Sequence, residues 1–588
     1  MRLCFDIETD GLIPQATKIH CIAARDMDNP DQVKSFRPGE IQEGLAYLQQ
    51  ADTLCGHNVL AFDLPCIKKL HPDFNTDGIK VVDTLVLSRL IRADLKNEDF
   101  STQWTTAKAL PKRLYGSHSL EAWGLRLGVH KGDFGKDADW SVWSEDMHSY
   151  MVQDTFVTYK IWEALAPDEW SQESIEFEHR IAELCYRIGT AGWTFDTDKA
   201  SELYGQLAAE KLKLASELRD LFPPWVVEEE FIPKVNNSKL GYVKGEPFIK
   251  TKTVDFNPNS RKHIEFCLRK KYDWKPKEFT PSGDAKIDET TLGTLDYPEA
   301  QKLARSFMLQ KRLGQLAEGN NAWLKLADNG KLYHSINPNG AVTGRATHHN
   351  PNLAQVPSAR AEFGKECREL FTVPDDHVLV GSDLSGLELR CLAHYMRDDA
   401  YADEVLNGDI HTANMHSFGL TSRSESKVAA YCLIYGGGDR RLGEVIGKGP
   451  AEGRAMRDRF MRNTPAYANL VRNVKAVMKS KGYLTGLDGR KLYIRSEHAA
   501  LNTLLQSAGA LICKRWLELI DQNIRQQNIP AYIVGWIHDE CQIAVRKGYE
   551  QDVCDISGRC AREAGESFKF RLPINAEAAV GQNWAATH

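Results

Sequence analysis

The sequence predicts a multidomain chain in which an α/β front is followed by a longer α+β region. Three observations predict this. At 588 residues the chain is too long for one hydrophobic core. Residues 1 to about 170 alternate short β-prone runs with helical segments. After a long helical passage, strands and helices mix again from Tyr333 onward.

The elements follow in order. "MRLCFDI", "TLCGHNVL" and "KVVDTLVL" read as strands, and "SLEAWGLRLG" as a helix. Glu173 to Ala215 reads as helical. The Pro-, Gly- and Lys-rich stretch after Phe222 reads as hairpins and turns. Helices return through "EAQKLARSFMLQKRLGQLAEG", and a helical block at 401–480 separates "DHVLVGSDLS" from "VGWIHDECQIAV".

Composition narrows the class. Hydrophobic residues make up 42% and charged residues 26%, which excludes a disordered or fibrous chain. No apolar run approaches the ~18 residues of a membrane span. The opening "MRLCFDIETD" carries acids too early for a secretory signal, and the thirteen cysteines include no CxxC pair. Reduced thiols and a cytoplasmic location are expected. A net charge of −6 argues neither way about nucleic acid, whose footprint is local. One such concentration exists: twelve Lys and Arg lie between Lys234 and Lys277.

In "LCFDIETDG", Asp6 and Glu8 are two apart on a strand and project from the same face. Like charges so placed repel unless a cation lies between them. Asp63 follows in "HNVLAFD", and Asp154 in "YMVQD", with Tyr150 four residues earlier and able to orient a water. Oxygen ligands suit Mg²⁺ or Mn²⁺. The ordered series DxE, NxxxFD, YxxxD resembles the DEDD-type 3′→5′ exonucleases with Tyr in the last motif, the proofreading domains of DNA polymerases. The resemblance covers residues 1–165.

A second carboxylate set is spread along the C-terminal half. Two apolar strands, Tyr532–Ile537 and Cys541–Val545, predict a hairpin with His538, Asp539 and Glu540 at its turn. "HVLVGSDLSGLELRCLAHY" supplies a partner strand ending at Asp383, with a helix starting at Ser385. Ser385 and Glu388 have the spacing of a capping box. Between these acids, Arg423, Lys427, Tyr431 and Tyr435 recur every four residues and form one helical stripe. Two cations and two rings so arranged suit a triphosphate and a base; alone, the stripe also reads as an amphipathic helix with a basic face.

In order, "DLSGLELR", "RSESKVAAYCLIYG" and "HDE" resemble motifs A, B and C of family A DNA polymerases, and "GAVTGRATHHNPNLAQVP" resembles a further segment of that family. "LDGRKLYIRS" and "HAALNTLLQSAGALICK" are similar to the replicative members from T-seven-like bacteriophages. The match is weak only near 223–252.

The resemblance implies an RNase H-like exonuclease domain (1–172) and a right-hand polymerase: thumb 173–334 with a short basic insertion near 223–252, palm 335–400 and 486–588, fingers 401–485. It implies two Mg²⁺ at each site, Mn²⁺ substituting, with Asp6, Glu8, Asp63 and Asp154 as ligands in front. Asp383, Asp539 and the Leu384 carbonyl hold the polymerase pair, and Glu540 supports them. His411, Arg423 and Lys427 grip the dNTP phosphates. Tyr435 stacks near the templating base, Tyr431 lies by the sugar, and Glu388, packed near Tyr431, excludes a 2′-hydroxyl. Arg345, Asn502, Gln506 and His538 contact primer-template DNA. The implied protein is a monomer that works beside a phage helicase-primase. It is expected not to use thioredoxin, because the 223–252 insertion is short.

Three rivals make different predictions. A nuclease with a merely DNA-binding C-terminal region needs no second carboxylate set. A single-subunit RNA polymerase has no proofreading domain and lacks the Glu388 pattern, and a non-catalytic clamp or scaffold does not need both sets intact.

Overall fold

The computed structural model describes residues 1–101, 110–129, 134–136 and 139–587. The chain divides into two compact units, Met1–Trp193 with Tyr333–His588, and Thr194–Leu332.

The front of the first unit is a five-stranded sheet built from Arg2–Thr9 (β1), Ile19–Asp26 (β2), Val33–Phe36 (β3), Thr53–Gly56 (β4) and Lys80–Asp83 (β5), in the order β3-β2-β1-β4-β5. β1 runs antiparallel to β2 and parallel to β4. Strand alternation sorts β1: Leu3, Phe5 and Ile7 enter one core, and Cys4 enters the core on the other face. Asp6 and Glu8 continue the Cys4 face. The helix Glu145–Leu165 packs against β1. Ser144 caps it by accepting from the Met147 N–H at 3.1 Å, and Glu145 and Asp146 in its first turn complement the helix dipole. One face of this helix is buried along Met147, Met151, Asp154, Val157 and Ile161.

The helix Gln172–Ala191 lies in the first unit, although the resemblance assigns it to the 173–334 thumb. Two things explain this. Phe177, Ile181, Leu184 and Ile188 join the large C-terminal core. The fully buried Glu178 accepts from Arg490 and Lys514, at 2.5 Å each.

In the second unit the helices Thr197–Leu221 and Pro298–Leu313 pack together, with Arg305 donating to Glu210 at 2.7 Å. The 223–252 insertion forms an antiparallel hairpin, Trp225–Phe231 with Phe248–Val254. It is less basic than its lysines alone imply. Glu228, Glu229 and Glu230 sit opposite Thr251, Lys250 and Ile249. The Lys250 ammonium lies 3.5 Å from the Phe231 ring centroid, a cation–π contact.

The C-terminal sheet has the order Ala531–Ile537, Glu540–Arg546, His377–Leu384, Ala576–Gly581, with every pair antiparallel. The helices Ala500–Gln526 and Glu550–Ser567 pack together, and the Trp516 indole donates to the Ser557 carbonyl at 3.0 Å. The 401–480 block is helical, as expected, and includes Ile410–Phe418 and Arg423–Ile434. The helix after Asp383 starts at Leu387, not at Ser385. Gly386, in the left-handed region with φ 59°, occupies the N-cap, and no side chain caps this helix. The expected Ser385–Glu388 capping box is therefore absent, and the Ser385 hydroxyl donates to Glu577 instead, at 2.9 Å.

Candidate active sites

In the front domain, one ligand atom from each of Asp6, Glu8 and Asp154 lies within 4.8 Å of the others. Carboxylates this close repel, and a hard divalent cation with oxygen ligands relieves that repulsion, so the donor set fits Mg²⁺ or Mn²⁺. Asp63 stands outside this group of three. It is 3% exposed, and its Oδ1 accepts from the Ile7 N–H, between Asp6 and Glu8, at 3.3 Å. Burial pushes its carboxyl up to about 7. The half-buried Tyr150 ring packs on Phe134 and Trp140, with centroids 5.7 and 6.3 Å away.

Sequence reasoning missed Asp83. This buried side chain accepts from the N–H groups of Asn58 (2.9 Å), Leu60 (3.1 Å) and Leu85 (2.9 Å), fixing the turn that leads to Asp63. Its own N–H donates to the His179 Nε2 at 2.8 Å. Its signal was an N-cap aspartate at the end of "KVVD".

In the C-terminal sheet, Asp383 pairs with Glu540 in register, and the Leu384 N–H donates to the Asp539 carbonyl at 3.1 Å. Asp383 and Asp539 thus stand at neighbouring strand ends, with the Leu384 backbone beside the turn. The expected hairpin forms, and His538 at its turn has φ 59°, a left-handed conformation unusual for a non-glycine. Two carboxylates and a carbonyl make an oxygen-only donor set, which also fits Mg²⁺.

Glu540, expected to support the polymerase metals, follows Asp539 directly and pairs with Asp383. It is 4% exposed and accepts from the Gln542 amide at 2.7 Å and from the Trp584 indole, with an Arg368 nitrogen at 3.9 Å. Glu540 opens the strand after the turn, its carboxylate is held by Gln542 and Trp584, and it is not among the residues lining the cavity around Asp539.

That cavity, about 270 Å³, is lined by Arg345, Glu388, Tyr435, Gly509, His538 and Asp539 among others. Burial raises the Asp539 carboxyl, and the neighbouring Glu388 charge adds to this. The Tyr435 hydroxyl donates to Glu388 at 2.8 Å, and Arg345 comes within 3.7 Å of the same oxygen. Burial, then Glu388, pushes the Tyr435 phenol up to about 12. The resemblance implies Glu388 near Tyr431; its hydrogen bond is to Tyr435. Tyr431 is close too, since burial first and then Glu388 and Asp539 raise its phenol.

Arg423, Lys427 and Tyr431 share the helix Arg423–Ile434, and Tyr435 is its C-cap. The Tyr431 ring lies 6.2 Å from Tyr435 and 6.3 Å from His411. The Lys427 side chain is exposed. On the helix Ala500–Gln526, the Gln506 amide donates to Asn502 at 2.8 Å. Gly509 faces Leu387, where an added Cβ would meet a side-chain carbon at 3.4 Å.

Comparison with known proteins follows this geometry. Residues 239–586 match DNA polymerase family A, and residues 3–108 match the RNase H superfamily. The chain is 35% identical over 709 aligned positions to the DNA-directed DNA polymerase of Enterobacteria phage T3, covering 100% of both chains. It is 34% identical to that of Escherichia phage T7, covering 99% of each. At 709 positions against 588 residues, the T3 alignment contains positions that this chain lacks. The POL domain of Pol1 from M. smegmatis, in complex with DNA primer-template and dNTP, shares its fold with a TM-score of 0.76 at 18% identity, covering 99% of this chain and 96% of that one. No helix among the described residues is long and apolar enough to cross a membrane. With an RNase H-like domain in front of a right-hand polymerase, the chain belongs to DNA polymerase family A.

Proposed function

We propose that Asp383 and Asp539, with the Leu384 carbonyl, hold the metal ions of this DNA polymerase, and that Asp6, Glu8, Asp63 and Asp154 hold those of its 3′→5′ exonuclease. Two Mg²⁺ at each site, with Mn²⁺ able to substitute, would supply Lewis-acid stabilisation of charge at phosphorus. The remaining work is positioning by the chain itself. His411, Arg423 and Lys427 hold the dNTP phosphates. Tyr435 stacks near the templating base, and Tyr431 with Glu388 encloses the sugar. Arg345, Asn502, Gln506 and His538 contact the primer terminus through minor-groove acceptors that vary little with sequence. Tyr150 orients the water in the exonuclease.

The observation that carries this reading is the convergence, around one cavity, of Asp539, Glu388, Tyr435 and Arg345 from segments far apart in sequence. Glu540 acts indirectly, by anchoring the Asp539 hairpin through Trp584 and Gln542. The domain proposal keeps the exonuclease at 1–172, the palm at 335–400 and 486–588, and the fingers at 401–485; the thumb is narrowed to the unit Thr194–Leu332.

The substrates are primer-template DNA and dNTPs. The enzyme acts as a monomer in the host cytoplasm, alongside a helicase-primase and without thioredoxin. The experiment is primer extension with Mg²⁺, with dNTPs set against rNTPs. Extension with dNTPs alone supports the reading, and equal extension with rNTPs opposes it.

A further inference from the structure

Asp409 precedes His411 by two residues and Arg423 by fourteen, and its carboxylate joins the first turns of the helices that carry them. It is the N-cap of Ile410–Phe418. Its Oδ1 accepts from the N–H groups of His411 (3.2 Å) and Thr412 (3.4 Å), and its Oδ2 accepts from the Thr412 hydroxyl at 2.8 Å. Arg423, the first residue of the helix Arg423–Ile434, grips the same carboxylate with two prongs: Nε to Oδ2 at 2.7 Å and Nη2 to Oδ1 at 3.0 Å. A second tie runs parallel to this, from the Ser426 hydroxyl to the His411 carbonyl at 2.8 Å. Five donors therefore converge on one exposed carboxylate, and Arg423 holds its pKa well below the usual carboxylate range, with Thr412 contributing.

The donor inventory of arginine decides what this arrangement leaves available. A guanidinium has five N–H groups in a rigid plane. Asp409 takes Nε–H and one Nη2–H. The other edge, both Nη1–H groups and the second Nη2–H, remains open in a fixed direction and is the edge suited to a phosphate. An exposed ion pair adds little to stability. Its value here lies in geometry, because it removes the rotamer freedom that a phosphate would otherwise have to freeze.

We infer that Asp409 is a positioning residue for the incoming nucleotide: it fixes the Arg423 guanidinium and the first turn carrying His411, so that both face the phosphates before the nucleotide arrives. The inference rests on the reading of Arg423 and His411 as phosphate-gripping residues.

The test is a double-mutant cycle on dNTP KM and kcat with Asp409→Asn, Arg423→Ala and both together. Asparagine caps a helix as well as aspartate does, so Asp409→Asn keeps the helix start and removes the charge and one prong. Exonuclease rate and thermal midpoint serve as the fold check, and both should match wild type. KM should rise by roughly fivefold in Asp409→Asn with kcat nearly unchanged. In the Arg423→Ala background the same change should have no further effect, because the residue through which it acts is gone. A wild-type KM in Asp409→Asn overturns the inference, and so does an Asp409→Asn effect of full size in the Arg423→Ala background. In both cases the phosphate-grip reading stands. A wild-type KM in Arg423→Ala overturns that reading itself, and the inference with it.

Discussion

The Tyr435 hydroxyl donates to Glu388 at 2.8 Å and so closes one side of the cavity that Asp539 lines. Glu388 is thereby held by the C-cap side chain of the helix Arg423–Ile434 and carries no cap of its own helix. Glu388→Ala should leave the thermal midpoint unchanged and increase ribonucleotide use relative to deoxynucleotide use. An apolar pocket alone rejects an added hydroxyl by only about a hundredfold. Tyr435→Phe keeps the ring and loses the donor, so its discrimination should fall between the two. Competition assays with paired dNTP and rNTP measure this. A Glu388→Ala enzyme as selective as wild type would remove the carboxylate from sugar selection.

Tyr431 carries a phenolic hydroxyl whose acidity is weakened by burial and by the nearby Glu388 and Asp539 charges. The enzyme should accept dideoxynucleotides readily, and Tyr431→Phe should discriminate against them. Chain-termination ladders read the ratio directly. Identical ladders from both proteins would refute the role of the hydroxyl.

The lysines of the hairpin Trp225–Phe231 with Phe248–Val254 and its connecting turns are not equivalent. Lys250 is engaged by the Phe231 ring and sits opposite Glu229. Lys234, Lys239 and Lys244 lie exposed in the connecting turns. Replacing these three by alanine should lower the slope of log K against log salt by up to about 0.9 per lost phosphate contact, while Lys250→Ala leaves the slope unchanged. Single-nucleotide insertion should be unaffected in both. A slope change in Lys250→Ala alone would reverse this assignment.

Four buried charges brace the structure around the helix Gln172–Ala191. Arg490 and Lys514 share Glu178, and Arg490 also grips Asp488 at 2.6 Å. Arg490 and Lys514 further reach Asn339, on the turn leading to Arg345, at 3.3 and 3.2 Å. Breaking one member of such a group leaves uncompensated buried charge, at a cost of about 3–5 kcal/mol. Glu178→Gln should therefore lower the midpoint of denaturation clearly. A wild-type midpoint would mean that the group is not coupled as its geometry indicates.

Local chemistry was legible in the sequence. Period-two spacing placed Asp6 and Glu8 on one face, flanking β runs located the His538–Asp539 turn, and spacing by four gave the stripe from Arg423 to Tyr435. What the sequence hid has two physical sources. Some features depend on backbone detail: a left-handed Gly386 moves the helix start past Ser385 and dissolves a capping box that the spacing favours. Others depend on distant partners. Nothing near Glu178 announces Arg490, 312 residues away. Nothing near Glu540 announces the Trp584 indole that holds it. Asp83 and Asp409 look like ordinary helix caps until their other donors are in view.

The central claim is that two separate carboxylate sets run two separate reactions in one chain. The most direct measurement uses one labelled primer-template and three proteins, scoring extension with dNTPs and digestion without them. Asp539→Ala should lose extension and keep digesting single strands. Asp6→Ala with Glu8→Ala should lose digestion and extend as wild type does. Wild-type digestion by the Asp6/Glu8 variant, or wild-type extension by Asp539→Ala, would contradict the account.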